Sequence, residues 1–228
     1  MDDLDTLGYG VADVALSHEQ CDHLAASLPM VGRGHGGVRS LLFHPSVLRF
    51  LRHNGLGNYL WSVTGRDLVA VKATLFDKTG ESNWRMQWHQ DRVVAIRERM
   101  NVAGYRAWST KAGVLHVEPP ASVLAQMLAV RLHLDDCGPD NGPLRVIPGS
   151  HELGTLSDQQ LRDCVTTGDA TDLVLAKGAL LLMRPLLVHA STQARVPQHR
   201  RVLHLELAPR EIISPLQWQA EIQLRRAA

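Results

Sequence analysis

Alternation of apolar and polar residues is the feature that most limits how this chain can fold. It occurs in the segments 84–91, 127–135 and 201–207. In the middle segment, leucine or valine fills every second position up to 134, and Arg131, His133 and Asp135 stand on the opposite face. Because successive side chains of a strand point to opposite faces, this pattern predicts half-buried strands. Histidines and unlike charges on several polar faces favour a polar cavity inside a barrel or sandwich over a solvent-exposed sheet face.

Helix signals are concentrated towards the N-terminus. Ser17 and Gln20 have the spacing of a capping box, which predicts a helix that ends before Pro29. Pro45 suits the first turn of a second helix, which we expect to run to about His53. These signals place the helical part of the chain ahead of the strands.

The second half of the chain adds strands, one helix and one irregular stretch. Ser157 and Gln160 form another capping box and predict a short helix. Further strands are expected near 171–176 and 179–183. Residues 97–122 break the alternation and predict a long loop or lid, a kind of segment that is often functional in compact domains. The sequence therefore predicts a mainly β fold of the jelly-roll type with N-terminal helices.

Length and charge limit the domain organisation and the partners. A chain of 228 residues suits one domain, so we expect a single domain over 1–228, with a helical part at about 1–65 and a β core at about 66–210. The net charge of +1 gives no electrostatic reason to expect nucleic acid or an anionic membrane as partner. The longest apolar run, Ala179 to Met183, is far shorter than a membrane span.

The cysteines and the first residues bear on location. The acidic start lacks the apolar core of a secretory signal. Cys21, Cys137 and Cys164 are odd in number and have no paired spacing. Such cysteines suit a reducing compartment and are expected to be buried thiols, not ligands. We therefore predict a cytoplasmic location.

His89 and Asp91 are the sharpest local candidates for metal binding. On a strand, residues i and i+2 project on the same side, so this imidazole and carboxylate can converge on one ion. Two histidines and one carboxylate on one face of a metal leave the opposite positions open, as in non-haem iron(II) sites. Alone, the HxD pair is weak evidence, because it also fits a solvated turn or a core histidine, so a third ligand is required.

The region near the C-terminus offers that ligand and an anion-binding group. His189 ends an apolar run, and Arg200 and Arg201 follow shortly before another strand. A guanidinium presents a bidentate fork to a carboxylate, such as the far end of a bound 2-oxoacid. Taken singly, His189 also fits a core histidine and Arg200 a solvated surface charge.

Three motifs together resemble the phytanoyl-CoA dioxygenase family of 2-oxoglutarate oxygenases. They are HQD at 89–91, LHLDDCGPDNGPLRVIPGSH at 132–151, and HAS followed by RR at 189–201. The motifs occur in the family's order, and the resemblance covers about 68–207. It implies a double-stranded β-helix, in agreement with the strand pattern, and it implies iron(II), 2-oxoglutarate and O₂ as cofactor and cosubstrates.

The resemblance also implies roles for individual residues. The iron ligands are expected to be His89, Asp91 and His189. Arg200 is expected to bind the distal carboxylate of 2-oxoglutarate with the help of Ser191. Alternation does not choose between Arg200 and its neighbour Arg201, and the choice of Arg200 rests on the family's spacing.

Further residues around the cosubstrate carry less specific expectations. Arg131 stands where the family often has an aromatic residue, and it is expected to contact either cosubstrate or substrate. Lys72, on the strand before the metal motif, is expected near the cosubstrate. Asp91 favours hydroxylation, because halogenating relatives lack this carboxylate. His151 is expected to be structural.

The substrate is only weakly constrained. Candidate contacts are Trp108, His116, His133, Arg131 and Arg184. Several of these side chains are cationic or form hydrogen bonds, which favours a small polar or anionic metabolite, or a natural-product intermediate, over a long acyl chain. Whether the substrate is free or carrier-bound stays open.

Two other classes of protein remain as alternatives. A cupin-like metalloenzyme that does not use 2-oxoglutarate would have a similar barrel, but such sites usually take three histidines and a glutamate. No HxH followed by a suitable glutamate is present. A non-catalytic small-molecule-binding barrel would be indicated by loss of a ligand or of the arginine, and neither is lost. Nucleotide-binding glycine motifs and the HExxH spacing are also absent from the sequence.

Overall fold

A computed structural model describes residues 2–53, 55–111 and 113–225. Its α-helices are α1 Asp2–Thr6, α2 His18–Ser27, α3 Pro45–His53, α4 Leu56–Thr64, α5 Ala121–Leu124 and α6 Asp158–Thr167, with 3₁₀ turns at Ser150–Leu153 and Arg210–Ile213. Its strands are β1 Tyr9–Ala15, β2 Gly37–Val38, β3 Leu68–Phe76, β4 Met86–His89, β5 Val94–Ile96, β6 Arg106–Lys111, β7 Val114–Glu118, β8 Leu128–His133, β9 Leu144–Val146, β10 Thr171–Leu173, β11 Ala179–Met183, β12 His189–Ser191, β13 Val202–Pro209 and β14 Ile222–Gln223. None of the described helices is long and apolar enough to span a bilayer.

The strands form two larger antiparallel sheets and a small one. The seven-stranded sheet has the order β1-β11-β8-β13-β3-β14, with β2 also paired to β3. The four-stranded sheet has the order β10-β9-β12-β4, and the small sheet has the order β5-β7-β6. One cavity is lined by residues of both larger sheets, which therefore enclose it between them. This is the predicted mainly β jelly roll.

The two faces of the large sheet explain where the core and the cavity lie. On β13, Leu203, Leu205 and Leu207 are fully buried in the main core, which the N-terminal helices cover. Full burial of one such side chain contributes about 1.5–3 kcal/mol. The alternate positions, His204 and Glu206, line the cavity on the other face. The alternation of the sequence is thus an alternation between helix-covered core and polar cavity.

The predicted helix starts are confirmed. Ser17 Oγ accepts the N–H of Gln20, and the Gln20 side chain accepts the N–H of Ser17 in return. The same reciprocal pair of hydrogen bonds joins Ser157 and Gln160 at the start of α6. Helix α3 occupies the predicted range.

Two expectations about secondary structure need correction. The region 1–65 is not purely helical, because β1 pairs with β11 and extends the large sheet. Strand β1 is exposed at most positions, so it shows no apolar alternation. The predicted loop or lid at 97–122 contains the β6–β7 hairpin and the start of the short helix α5. Strand β6 is also mostly exposed, which hid its strand character from a pattern based on burial.

Candidate metal centre and cosubstrate site

His89 and His189 are brought together by the pairing of β4 with β12. The two residues are register partners across these antiparallel strands, and their ring centroids lie 4.2 Å apart. Asp91 follows β4 after one residue, and its backbone N–H donates to the carbonyl of Pro185. Its two carboxylate oxygens lie 3.7 Å from Nε2 of His89 and 3.7 Å from Nε2 of His189. One ligand atom from each of the three residues lies within 4.8 Å of the others, so the triad can close on one ion.

Backbone carbonyls orient both imidazoles. Nδ1 of His89 lies 2.8 Å from the carbonyl oxygen of Gln87, and Nδ1 of His189 lies 2.8 Å from that of Leu187. With its proton on Nδ1, each ring donates to this carbonyl and keeps the Nε2 lone pair for a metal. Metal-binding histidines commonly have such a partner on the other nitrogen.

The ionisation states suit a divalent cation. Burial by itself would raise the pKa of Asp91, but the neighbouring His189, His204 and His89, together with Lys72, lower it to about 2. Burial lowers the pKa of His189 to about 4, although Asp91 opposes this shift. At neutral pH Asp91 is therefore a carboxylate and His189 a neutral imidazole, the forms that bind metal. Two imidazoles and one carboxylate on one face fit iron(II).

The triad opens into a cavity of about 590 Å³ between the two larger sheets. Its wall on the large sheet includes Lys72, Thr74 and Phe76 from β3, Arg131 from β8, and His204 and Glu206 from β13. Strand register explains this grouping, because His204 is paired with Arg131 on one side and with Thr74 on the other.

Arg200 lies on the wall of this cavity and is 2% exposed. One guanidinium nitrogen, Nη1, donates to the carbonyl of Gly142, whereas Nε has no hydrogen-bond partner among the described residues. Arg201 points elsewhere and pairs with Asp135 at 2.8 and 2.6 Å. Alternation along β13 in fact extends back to Arg200, which shares the cavity face with His204 and Glu206.

Arg131 is a second buried guanidinium in the same cavity, 7% exposed. Its Nη1 lies 3.2 Å from Nδ1 of His204, and its Nε lacks a partner in the part of the chain that the structure describes. No ion pair with a carboxylate is found for Arg131 or Arg200 within the described ranges. A buried charge is costly unless it is paired, so two buried guanidinium groups without a direct ion pair favour an anionic ligand in the cavity.

Lys78 is a further buried cation that the sequence analysis did not single out. Its Nζ donates to Ser191 Oγ at 3.1 Å and to the carbonyl of Thr192, and the ammonium lies 4.9 Å from the ring centre of Trp84. Burial and the nearby charge of Arg200 lower the pKa of Lys78 to about 7. Alternation beyond β3 could have found it, because Lys78 continues the parity of Lys72.

The remaining predicted contacts are distributed over several places. Lys72 lines the metal cavity, but its Nζ is held by Glu206 at 2.5 Å. Ser191 also lines this cavity, and His116 lines an adjacent one. Trp108 lies outside both cavity walls, with Arg99 stacked 5.1 Å from its ring centre.

Two further predicted substrate contacts, like Trp108 and His116, do not line the metal cavity. His133 is buried on the correct face of β8, but it is register partner of Val202, where β13 begins, and is not part of the cavity wall. Arg184 pairs with Asp5 at 2.6 Å and lines a different cavity. These positions give no support to the expectation that His133 and Arg184 contact the substrate, which stays a prediction. The cysteines are free thiols, with Cys21 and Cys137 buried, and none belongs to the metal-binding group.

A jelly roll that presents two histidines and a carboxylate to a cavity with buried guanidinium groups has the architecture of a non-haem metal oxygenase. The chain belongs to the phytanoyl-CoA dioxygenase (PhyH) family, which matches residues 38–202. The expected family is therefore confirmed, and with it the use of iron(II), 2-oxoglutarate and O₂. A comparison with curated proteins gave no match.

Solved structures with the same fold include several non-haem oxygenases. EctD from S. alaskensis, solved with 2-oxoglutarate and 5-hydroxyectoine, is 17% identical with a TM-score of 0.68 over 100% of this chain and 84% of its own. The alpha-ketoglutarate-dependent carbocyclase SnoK from nogalamycin biosynthesis is 12% identical with a TM-score of 0.67 over 92% and 82%. The epimerase SnoN from the same biosynthesis is 15% identical with a TM-score of 0.64 over 92% and 80%. At these identities the likeness establishes the shared fold.

Proposed function

We propose that this protein is an iron(II)- and 2-oxoglutarate-dependent dioxygenase that hydroxylates a small molecule and releases succinate and CO₂. The observation that carries the proposal is the joint placement of the His89, Asp91 and His189 triad with Arg131 and Arg200 on one cavity. The triad fits the metal, and the two buried guanidinium groups fit a dicarboxylate that also reaches the metal.

Different residues would act at the two ends of 2-oxoglutarate. His89, Asp91 and His189 would hold iron(II), and all three residues line the cavity. Arg200 would bind the distal carboxylate through its unpartnered Nε, and Ser191 beside it is oriented by Lys78. When bound, iron(II) and 2-oxoglutarate supply the activation of O₂ and the oxidising equivalents. The protein's share is to fix the geometry and to keep the reaction inside the cavity.

Arg131 is assigned to the cosubstrate end in this proposal. It is register partner of His204 in the middle of the cavity wall, and it has no carboxylate partner of its own within the described residues. Hydroxylation is proposed as the outcome because Asp91 keeps its coordination position. The relatives named above include a carbocyclase and an epimerase, so product analysis must accompany the assay of turnover. A cytoplasmic location remains a prediction from the cysteines.

Anaerobic titration of the apoprotein with iron(II) and 2-oxoglutarate tests the proposal. The expected result is the weak visible charge-transfer band of the 2-oxoglutarate chelate, followed by succinate release when O₂ and a substrate are added. A control titration with succinate in place of 2-oxoglutarate should give no band, because succinate lacks the keto group. Folded protein that forms no chelate band would contradict the proposal and would favour a binding barrel or a metalloenzyme of another type.

A further inference from the structure

A second cavity of about 350 Å³ adjoins the metal cavity. The two share a wall formed by Arg39, Lys72, Val93 and Lys111. The rest of the second cavity is largely apolar, with Leu42, Phe43, Val71 and Val114 among its lining residues. Phe43 is 59% exposed, an unusual degree for a large aromatic side chain in a concave site. A molecule in this cavity therefore meets an apolar surface and borders directly on the metal cavity.

The ionisable residues that line the second cavity are all basic. Its described lining contains Arg39, Lys72, Lys111 and His116, and no aspartate or glutamate. Lys72 is neutralised by Glu206 from the neighbouring cavity. Arg39 and Lys111 are exposed and form no ion pair with any described carboxylate. Lys72, Lys111 and Arg39 also add to the effect of burial in lowering the pKa of His116, so these cations converge on one place.

Arg39 is held in place by the backbone around it. Strand β2 pairs with the end of β3, and the N–H of Leu41 donates to the carbonyl of Ala73 at 3.1 Å. Between these two attachments Ser40 has a φ of +64°, a left-handed conformation that is uncommon for a residue other than glycine. Such residues are found where the surrounding structure over-determines the backbone, often at ligand-binding sites. Arg39 thus stands on a segment fixed to the sheet from both sides.

We propose that the substrate is an amphipathic organic anion, whose carboxylate or phosphate group binds between Arg39 and Lys111 while its apolar body lies against Phe43 and Leu42. Oxidation of this molecule rests on the proposed function. For it to occur, the reactive carbon must reach past the shared lining residues towards the triad. Two unpaired cations with an apolar floor bind such a molecule better than a neutral polar metabolite. Charge-assisted hydrogen bonds supply affinity, and the apolar contact adds to it.

A matched pair of fluorescent probes tests the proposal. 8-Anilinonaphthalene-1-sulfonate carries an anionic group on an apolar body, and N-phenyl-1-naphthylamine is the same body without the anion. The titration is done anaerobically with iron(II) and saturating 2-oxoglutarate, so that Arg200 and Arg131 are occupied. We expect the sulfonate to bind about tenfold more tightly than the neutral probe, the effect of one charge-assisted contact.

Variants locate the binding. Arg39→Gln/Lys111→Gln should abolish the preference for the sulfonate and leave the affinity for the neutral probe unchanged. The control Arg49→Gln/Arg52→Gln removes the same charge from helix α3, away from both cavities, and should leave both affinities unchanged. Phe43→Ser should weaken both probes equally. Equal affinities of the wild-type protein for the two probes would overturn the proposal. A preference for the sulfonate that survives Arg39→Gln/Lys111→Gln would also overturn it.

Competition identifies the anionic group and separates this proposal from the previous one. Octanoate or octyl phosphate should displace the sulfonate probe more strongly than octanol does, and the stronger competitor indicates the natural group. Displacement by octanol as effective as that by both anions would overturn the anion site. The visible chelate band is read in the same samples. If the chelate band appears but the sulfonate probe is not preferred, only this inference fails. If the sulfonate probe is preferred but no chelate band appears, only the oxygenase assignment fails.

Discussion

His89 and His189 are register partners on β4 and β12, and their rings lie 4.2 Å apart although they are far apart in sequence. A single strand pairing therefore creates most of the metal site. Asp91 completes it from just beyond β4, where the N–H of Asp91 is tied to Pro185. The site should accordingly persist without metal, since the strands and the backbone hydrogen bonds position its ligands.

Removal of the Asp91 carboxylate should abolish metal-dependent chemistry without unfolding the protein. Asp91→Ala leaves only the two imidazoles as ligands, and we expect iron(II) affinity to fall about a hundredfold or more. Residues that only support ligands already contribute about 10–100-fold to metal affinity, so a ligand should contribute at least as much. The measurements are the chelate band and succinate formation. Asp172→Ala, which removes an exposed carboxylate paired with Arg145, is the control. Near-normal turnover by Asp91→Ala would remove Asp91 from the triad.

Arg200 and Arg201 form a matched pair for testing the cosubstrate site. Arg200 faces the cavity, whereas Arg201 pairs with Asp135. Loss of a buried charged partner typically costs 2–5 kcal/mol, so Arg200→Gln should raise the Kd for 2-oxoglutarate roughly thirtyfold or more. Arg201→Gln should leave this Kd unchanged and lower stability by about 1 kcal/mol.

The chelate titration measures both variants of this pair. If Arg200→Gln does not fold, Arg200→Lys retains the charge but not the fork, and it should still raise the Kd. Equal Kd values for the wild-type protein and a folded Arg200 variant would contradict the assignment of Arg200.

Variants of Lys72 can distinguish a structural ion pair with Glu206 from a contact with the cosubstrate. Its Nζ lies 2.5 Å from Glu206, a carboxylate whose pKa is raised by burial despite Lys72. Lys72→Met leaves this carboxylate unpaired and should lower the free energy of unfolding by about 2 kcal/mol, less than for a fully buried pair because Lys72 is partly exposed. Lys72→Met/Glu206→Gln should restore most of the loss.

The Kd for 2-oxoglutarate distinguishes the two roles of Lys72. Urea denaturation measures stability, and the chelate titration measures cosubstrate binding in the same variants. The pairing with Glu206 predicts an unchanged Kd in the double variant. A Kd raised about tenfold or more in a double variant of normal stability would instead support the cosubstrate contact that the sequence suggested.

The sequence predicted those features that depend on local pattern. Alternation identified β8 and β13 and their cavity faces, and reciprocal Ser–Gln spacing identified two helix starts. Arg131 could be selected because it lies on the polar face of β8, whereas the choice of Arg200 over Arg201 rested on the spacing of the family's motif.

Features that depend on distant partners could not be read in this way. His133 has the same parity as Arg131, but the cavity covers only the middle of the sheet, and His133 lies near its end. Arg184 has its partner, Asp5, at the other end of the chain. The exposed strands β1 and β6 have no apolar face that a pattern could show. Lys78 continues the parity of Lys72, but the partners of its ammonium group, Ser191 and Thr192, come from a distant part of the chain.

His133 should make the metal-free protein sensitive to acid. Both of its ring nitrogens are buried without a described partner, and burial, with the charges of Arg131 and Arg200, lowers its pKa to about 3. The unfolded chain takes up this proton near pH 6.5, so stability is complete above that pH and is lost progressively as the pH falls towards 3. At pH 5 this one histidine costs about 2 kcal/mol.

His133→Leu should therefore be more stable than the wild-type protein, and its advantage should be about 2 kcal/mol greater at pH 5 than at pH 7.5, because the uptake of one proton on unfolding is removed. Urea denaturation in the presence of a chelator measures the difference, and His18→Gln, an exposed histidine on α2, is the control. Since the buried His189 and His204 also have pKa values lowered to about 4 and about 3, some acid sensitivity should remain. An equal stability difference at both pH values would mean that His133 is protonated at similar pH in the folded and unfolded chains, and that a polar partner or water satisfies its ring.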